Sequence, residues 1–398
     1  MPESARGHSA DLDEQIRAAR RRLGETIIAA ARLTPEHIMV WGQFTDAPAR
    51  ARQTGVYGTS AAVGMLAARG RDMTSTVCLL PGATEPSALE FDVSDLFITH
   101  KASAVVEALA AAHYGRTQMT TACQKLVSGM IDGQGWGHHM VPGEPDAPSV
   151  LATARALIAL AGVEGMDDGL LGGPAAWLST RVLDDGPLGT LELALAVIAL
   201  AGLRRAGIGP EHGDAIRSGA KALRDWLRHT HGRPIVYEQV HYWVPKPDEQ
   251  RNHYMTFPLQ VVAGTALLMS GTAGRSRSLL DDLAGQLCQA VEADGGLRST
   301  LTERVGVVDT SLVDQFFTAY LAARPSSTRF RRLFRRLVRA RWVHRGLIFL
   351  TLVAVAFWSW RIAAWESGAM SASSVANIAF ALVTGVLGSM AYSRWDRH

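Results

Sequence analysis

Two aspartates, Asp92 and Asp95, are close enough in sequence to perform acid–base chemistry together. They lie in the stretch Phe-Asp-Val-Ser-Asp of residues 91–95, shortly before a helical pattern that begins at Thr99. Two neighbouring carboxyl groups can raise the pKa of one of them, which would leave a proton donor near neutral pH. The alternative is that one of these aspartates caps the following helix.

A second group of candidate residues is aromatic and basic. The segment of residues 237–257 concentrates aromatic side chains with histidines, and ligand sites often combine aromatics with a few polar groups. From this segment we predict ligand-binding residues Tyr237, His241, Tyr242, Trp243, His253 and Tyr254. From the glycine-rich turn near residue 136 we add Trp136 and His138. The alternative for residues 237–257 is a long loop between helices that its aromatics hold in place.

No metal site and no cofactor site is predicted. The Asp pairs at 167–168, 184–185 and 281–282 each lack a third aspartate for magnesium, and they suit solvated turns or helix starts. Cys123 and Cys288 lie within helical patterns, where a free cysteine is commonly a small core residue. His138 and His139 are adjacent, and on an extended loop they would point in opposite directions.

The charge is distributed unevenly along the chain. Of 40 Lys and Arg and 37 Asp and Glu, twelve Arg and two acids lie from Arg324 onward. This leaves 28 basic and 35 acidic residues in 1–323, an acidic body with a basic C-terminal segment. Three widely spaced cysteines give no disulfide framework, which favours a reducing compartment.

Two apolar stretches near the C-terminus predict a transmembrane hairpin within residues 346–395. Residues 346–365 and 375–392 are each long and apolar enough to span a bilayer, with tryptophans suited to the interface. The alternative is a pair of buried core helices. The linker between the stretches carries no Lys or Arg, whereas residues 324–345 carry nine Arg. The positive-inside rule therefore predicts a cell-membrane protein whose N-terminal domain and C-terminus are both cytoplasmic.

The arginine-rich segment of residues 324–345 has its own predicted role. Its apolar and basic residues recur at helical spacing, which is typical of a basic amphipathic helix lying on a membrane surface. We therefore expect it to bind anionic membrane lipids and prefer this to nucleic-acid binding.

The rest of the chain predicts an all-α domain. After an N-terminal helix within residues 1–38, residues 39–323 show Ala- and Leu-rich helical stretches separated by Gly and Pro, without sustained alternation. A loose unit recurs. Its best copy is Asp-Gly-Gln-Gly-Trp-Gly at 132–137 followed by an apolar helix from Ser149, and a second copy is Asp-Gly-Gly-Leu-Arg at 294–298 followed by a helix from Asp309. We predict Ser149 and Asp309 as helix N-caps.

This unit resembles the repeat of squalene–hopene cyclases and of protein prenyltransferase β-subunits. The resemblance covers about residues 40–323 and implies an α/α toroid, a closed double ring of paired helices, followed here by the two transmembrane helices; an open helical solenoid is the alternative. It also implies that Asp92 and Asp95 stand where cyclases carry the catalytic Asp-x-Asp-Asp motif. Ser94 replaces one aspartate of that motif, which puts cyclase chemistry in question.

Three functions remain open from the sequence. The leading expectation is a membrane-anchored toroid that binds a hydrophobic, isoprenoid-like ligand or a partner protein without cyclase chemistry. The second is an isoprenoid-processing enzyme that uses an aspartic acid. The third is a signalling or structural scaffold, which should have a solid core.

Overall fold

The computed structural model describes residues 4–46, 55–80, 97–113, 121–140, 146–184, 188–208, 212–243 and 252–323. All of these residues belong to one compact unit, residues 1–323.

Helices dominate the described residues. They are α1 Ser4–Ala30, α2 Val56–Ala67, α3 Thr74–Val77, α4 Thr99–Ala111, α5 Thr121–Ser128, α6 Val150–Ala161, α7 Asp168–Asp184, α8 Thr190–Ala206, α9 Gly213–Thr230, α10 Leu259–Met269, α11 Arg277–Asp294 and α12 Val307–Ala323. A short 3-10 helix, Ala273–Ser276, precedes α11.

Six helices form a closed inner ring. Each inner helix packs against the next in the order α2, α4, α6, α8, α10 and α12, and α12 packs against α2. Helices α1, α5, α7, α9 and α11 pack around this ring. Because the last inner helix contacts the first, the predicted α/α toroid is confirmed and the open solenoid is wrong.

The sequences of the helices explain the two layers. Inner helices such as α6 and α10 are apolar on nearly every face, which requires burial on all sides. Outer helix α9 is strongly amphipathic and buries one apolar stripe that includes Ile216, Leu223 and Leu227. The hydrophobic effect therefore sorts the helices into an inner and an outer layer.

Two small antiparallel sheets depart from the all-α prediction. Strands β1 Arg32–Leu33 and β2 Met39–Val40 pair in one sheet, and β3 Tyr237–Trp243 and β4 Asn252–Pro258 form a longer hairpin. The β3–β4 hairpin occupies the segment that was expected to be a loop. Its aromatic and β-branched residues favour a strand, and cross-strand pairing stabilises them where no helical periodicity competes.

The repeated unit is a hydrogen-bonded connection between a tryptophan loop and the next inner helix. The indole N–H of Trp136 donates to the Leu126 carbonyl at the end of α5, at 2.6 Å. The backbone N–H of Trp136 donates to the Thr153 hydroxyl of α6 at 3.0 Å. Trp41 repeats this pattern, since it donates to the Ile27 carbonyl of α1 and to the Thr59 hydroxyl of α2. Both tryptophan side chains are fully buried. Each unit therefore joins an outer helix to the following inner helix.

A third, partial copy precedes α12. The Thr310 hydroxyl donates to the Gly306 carbonyl at 2.7 Å. If residue 296 carried a Cβ, that atom would lie 2.8 Å from the Thr310 hydroxyl oxygen. A Cβ at position 135 would likewise clash with Thr153. Glycine is thus required at both positions because the threonine approaches the loop backbone closely.

The two predicted N-caps have different outcomes. Ser149 does cap α6, because its hydroxyl accepts from the Ala152 N–H at 3.1 Å. The prediction for Asp309 is wrong, since α12 begins at Val307 and Asp309 is its third residue. The helix therefore begins three residues earlier than an N-cap at Asp309 would require.

One buried carboxylate reinforces the closure of the ring. Asp314 of α12 accepts from Arg20 of α1 at 2.8 Å and from Arg69, which follows α2, at 2.6 Å. Removing one partner of a buried ion pair is strongly destabilising, because a charge remains without compensation. Asp314 therefore holds the first and last parts of the ring together.

Among the described residues, no helix has the length and apolar character needed to cross a membrane. The predicted spans, residues 346–365 and 375–392, and the arginine-rich segment 324–345 lie outside the described residues.

Replacing Thr153 by valine should destabilise the protein by about 1–3 kcal/mol, because the buried backbone N–H of Trp136 loses its acceptor. The measurement is the urea midpoint of the full-length chain. Thr180→Val on outer helix α7 is the matched control, since the exposed Thr180 hydroxyl bonds only within its own helix. Equal midpoints for the two variants would contradict this role of Thr153.

Candidate functional site in the lumen of the ring

The threonines fix which face of each inner helix points to the centre of the ring. Thr59, Thr153 and Thr310 are each the fourth residue of their helix and face the loops of the outer layer. An α-helix turns by about 100° per residue. The position two residues before the threonine and the positions two, five and nine residues after it therefore lie on the opposite face of the helix. These positions therefore line the lumen.

The lumen residues follow directly from this register. In α2 and its C-cap they are Tyr57, Ala61, Gly64 and Ala68; in α6 and its C-cap they are Leu151, Arg155, Ile158 and Gly162; in α12 they are Val308, Leu312, Gln315 and Ala319. The same offsets from the fourth residue give His100, Ala104, Glu107 and Ala111 in α4, and Leu191, Leu195, Ile198 and Gly202 in α8.

Contacts on α8 support this assignment. Leu193 and Val197, on the other face of α8, lie against the position of Gly219 in outer helix α9. The face that carries Ile198 and Gly202 must therefore turn away from the outer layer.

Exposure along the lumen shows where it opens. Near the N-terminal ends of the inner helices, His100, Leu151 and Leu191 are buried. Further along the inner helices, Gly64, Glu107, Ile158, Ile198 and Gly202 are partly exposed. A Cβ added at Gly64 or at Gly202 would meet nothing within 4 Å. At the N-terminal ends Tyr57 and Val308 are also partly exposed, and open space lies beside Gly64 and Gly202.

An ion pair lies in this lumen. Arg155 of α6 and Glu107 of α4 approach to 2.7 Å, and their side chains are 10% and 27% exposed. Burial raises the pKa of the Glu107 carboxyl, and the Arg155 charge opposes that rise. A charged pair inside otherwise apolar helices is costly in free energy, which makes it a candidate for function.

Two uncharged polar side chains flank the ion pair. Burial raises the pKa of Tyr57 to about 12, Arg155 opposes the rise, and Glu107 contributes to it. Burial lowers the pKa of His100 well below its usual value, with help from the Arg155 charge. The His100 ring stacks on His138 with centroids 6.0 Å apart. Near pH 7 the cluster therefore offers a neutral phenol and a neutral imidazole beside the ion pair.

The opposite side of the lumen is apolar. Helix α8 contributes Leu195 and Ile198, and α12 contributes Val308 and Leu312, with Gln315 as the polar exception. The ring order places α2, α4 and α6 together on one side and α8, α10 and α12 on the other. The lumen is thus divided into a polar sector on α2, α4 and α6 and an apolar sector on α8 and α12.

A buried acid lies beside the lumen at the start of α12. Asp309 is 2% exposed, and burial raises its pKa to about 8, although a hydrogen bond with Thr256 of β4 opposes the rise. Its charge would also raise the pKa of Tyr57 and of Tyr237, which places all three groups within electrostatic reach. Asp309 is therefore mostly protonated at neutral pH.

The structure gathers six of the predicted ligand-binding residues in the β3–β4 hairpin. The strand register pairs His241 with Tyr254, Tyr242 with His253, and Trp243 with Asn252. Tyr237 begins β3, and its hydroxyl donates to the Arg298 carbonyl at 3.1 Å. Their assignment to ligand binding stays a prediction.

The other two predicted ligand-binding residues lie in the loop before α6. Trp136 is fully buried and holds the loop to α5, as described above. His138 stacks on His100, and burial lowers its pKa despite the opposing charge of Asp146. His138 is thus next to the polar sector, whereas Trp136 packs in the core.

The predicted catalytic aspartates, Asp92 and Asp95, lie outside the described residues. Within the described part of the chain, no group of three or more His, Cys, Asp and Glu side chains is placed to hold a metal ion. Cys123 and Cys288 are buried and carry reduced thiols.

Sequence reasoning missed the lumen cluster. A signal was present, because Arg155 is the single charged residue of the apolar helix α6, and Glu107 is the single acid of α4, which also carries Lys101. A charge at such a position has to be buried, and buried charges are seldom retained without a role.

Comparisons with known proteins add little to this geometry. No protein-family model matches the sequence, and no curated protein matches it either. A solved structure of a glycoside hydrolase family 76 mannosidase from Bacteroides thetaiotaomicron aligns over 77% of this chain and 98% of its own, with 11% identity and a TM-score of 0.47. At this level of similarity the alignment assigns neither a family nor an activity to the chain. The resemblance to cyclases and prenyltransferases stays a prediction beyond the toroid itself.

The stability of the protein should depend on the titration of Asp309. Its folded pKa of about 8 exceeds its usual value of 3.8, so the stabilising contribution is complete below about pH 4 and is lost as the pH rises towards 8. Asp309→Asn cannot titrate. The unfolding free energy of the variant minus that of the wild type should therefore increase from pH 5 to pH 8, by up to about 1.4 kcal/mol per pH unit. Urea unfolding at both pH values measures this, and a difference that stays constant would contradict the assignment.

Proposed function

We propose that this protein binds a small amphipathic ligand in the lumen of its ring. The polar part of the ligand contacts the Arg155–Glu107 pair and the Tyr57 hydroxyl. The apolar part lies along Leu195 and Ile198 of α8 and along Val308 and Leu312 of α12. The single observation that supports this proposal most is the division of one open lumen into a polar and an apolar sector.

The open space favours ligand binding over a purely structural role. A scaffold needs a filled ring, and the hydrophobic effect would fill it with large side chains. Instead, small residues such as Gly64, Ala61 and Gly202 occupy lumen positions of α2 and α8. Ligand pockets are mainly apolar with a few convergent polar groups, which matches this lining.

Enzymatic conversion of the ligand is the second candidate, and Asp309 favours it. A buried carboxyl group that is protonated at neutral pH can donate a proton, as an isoprenoid-processing enzyme would require. The ligand would then be a substrate, and conversion that disappears in Asp309→Asn but persists in Glu107→Gln would establish this reading.

The ligand-binding proposal predicts that filling the lumen abolishes binding. Gly64→Leu and Gly202→Leu place a side chain in open space without a clash at the Cβ. Both should reduce binding of radiolabelled farnesol or farnesyl monophosphate to the purified full-length chain by at least about tenfold, because a leucine fills the space of several ligand carbons.

Gly285→Leu is the matched control for these variants. Gly285 lies on outer helix α11, and an added Cβ there also meets nothing within 4 Å. It carries the same loss of a helical glycine and should bind like the wild type. If neither probe binds the wild type, or if all three variants bind equally, the lumen is not the site.

The membrane anchor is part of the same proposal. A lipid-like ligand partitions into a bilayer, and the arginine-rich residues 324–345 with the apolar stretches to residue 395 would hold the toroid beside it. The N-terminal domain and the C-terminus would then face the cytoplasm.

We therefore expect the full-length chain to sediment with membranes and to stay there after extraction at alkaline pH, which removes peripheral proteins. Quantitative immunoblotting of the pellet and the supernatant measures the fraction retained. Release of the chain by high salt alone would indicate surface binding through the arginines without insertion, because salt screens that attraction.

A further inference from the structure

From the charges in the lumen we infer that the bound ligand has an uncharged, hydroxyl-type head group rather than a phosphate or carboxylate. This inference rests on the proposed function and specifies the class of ligand. It depends on the contact between Arg155 and Glu107.

The first reason is the balance of charge at the lumen positions. Among the lumen positions of α2, α4, α6, α8 and α12, the charged side chains are Arg155 and Glu107, which approach to 2.7 Å. Their charges compensate each other, so these lumen positions carry no net positive charge that would attract an anion. A phosphate would have to leave water without a compensating charge, at a large cost in free energy.

The second reason is the protonation state of the neighbouring titratable groups. His100 lies fully buried next to Arg155, and its pKa is lowered, so it adds no positive charge near neutral pH. Tyr57 and Asp309 can only become negative when they lose a proton. Every change in protonation as the pH rises therefore makes this region less favourable for an anion.

The third reason is the hydrogen-bonding capacity of the cluster. A ligand hydroxyl both donates and accepts, so it can donate to the Glu107 carboxylate and accept from the Arg155 guanidinium or the Tyr57 phenol. Hydrogen bonds to ionised partners are stronger than those between neutral groups. Such a head group uses both members of the ion pair without separating them.

The test compares farnesol with farnesyl monophosphate, which share one apolar chain and differ in the charge of the head group. Equilibrium binding to the purified full-length chain should favour the alcohol. Glu107→Gln should then reverse the preference, because it keeps the shape of the side chain but leaves the Arg155 charge without compensation. We expect the ratio of the two affinities to shift by about ten- to a hundredfold towards the phosphate.

The double variant Glu107→Gln/Arg155→Gln is the control for this reversal. It restores a neutral lumen, so its preference should return to the alcohol even if total affinity falls. Thermal unfolding of each variant in the absence of probe verifies folding, and the double variant still tests the inference if the single variant is unstable.

The outcomes separate this inference from the proposal on which it rests. Tighter binding of the phosphate by the wild type, blocked by Gly64→Leu, would overturn the inference and leave lumen binding intact. An affinity ratio unchanged in Glu107→Gln would also overturn it. Absence of binding by both probes would overturn lumen binding itself.

Discussion

Threonine hydrogen bonds hold the rotation of two inner helices, α2 and α6. Thr59 and Thr153 each bond to the backbone of a buried tryptophan loop, and that loop is fixed in turn to the end of an outer helix. Since a rotation of about 100° would replace every lumen residue by its neighbour in sequence, these bonds decide which side chains α2 and α6 present to the lumen. The part of the polar sector that lies on these two helices follows from this constraint.

The same constraint explains why charges can stand in the centre of the ring. Arg155 is two residues after Thr153, so the bond that turns Thr153 outward turns Arg155 inward. Glu107 reaches it from the neighbouring helix α4. Burying either charge alone would cost several kcal/mol, whereas the pair satisfies both. The fold thus maintains a polar site that the apolar composition of its helices would otherwise exclude.

Closure of the ring connects distant parts of the sequence. Helix α12 packs against α2, and Asp314 bonds to Arg20 and Arg69, so contacts that span more than two hundred residues complete the lumen. The β3–β4 hairpin lies at the N-terminal ends of α10 and α12, because Gln260 at the start of α10 accepts from the Val236 N–H and Thr256 of β4 bonds to Asp309 near the start of α12. Asp309 is therefore shielded from water by parts of the chain that are far apart in sequence.

The sequence alone determined the helical class and a repeated glycine-rich unit, because apolar periodicity and loop glycines are local signals. The toroid was predicted from the resemblance of that unit to the repeat of known toroidal families. It also identified Ser149 as a cap from its own residue type. The tertiary structure alone decided that Tyr57, His100, Glu107 and Arg155 meet in one lumen, and that residues 237–243 pair with residues 252–258 as strands. Those results depend on which helices become neighbours and on how each helix is rotated, and both are set by contacts between residues that are remote in the chain.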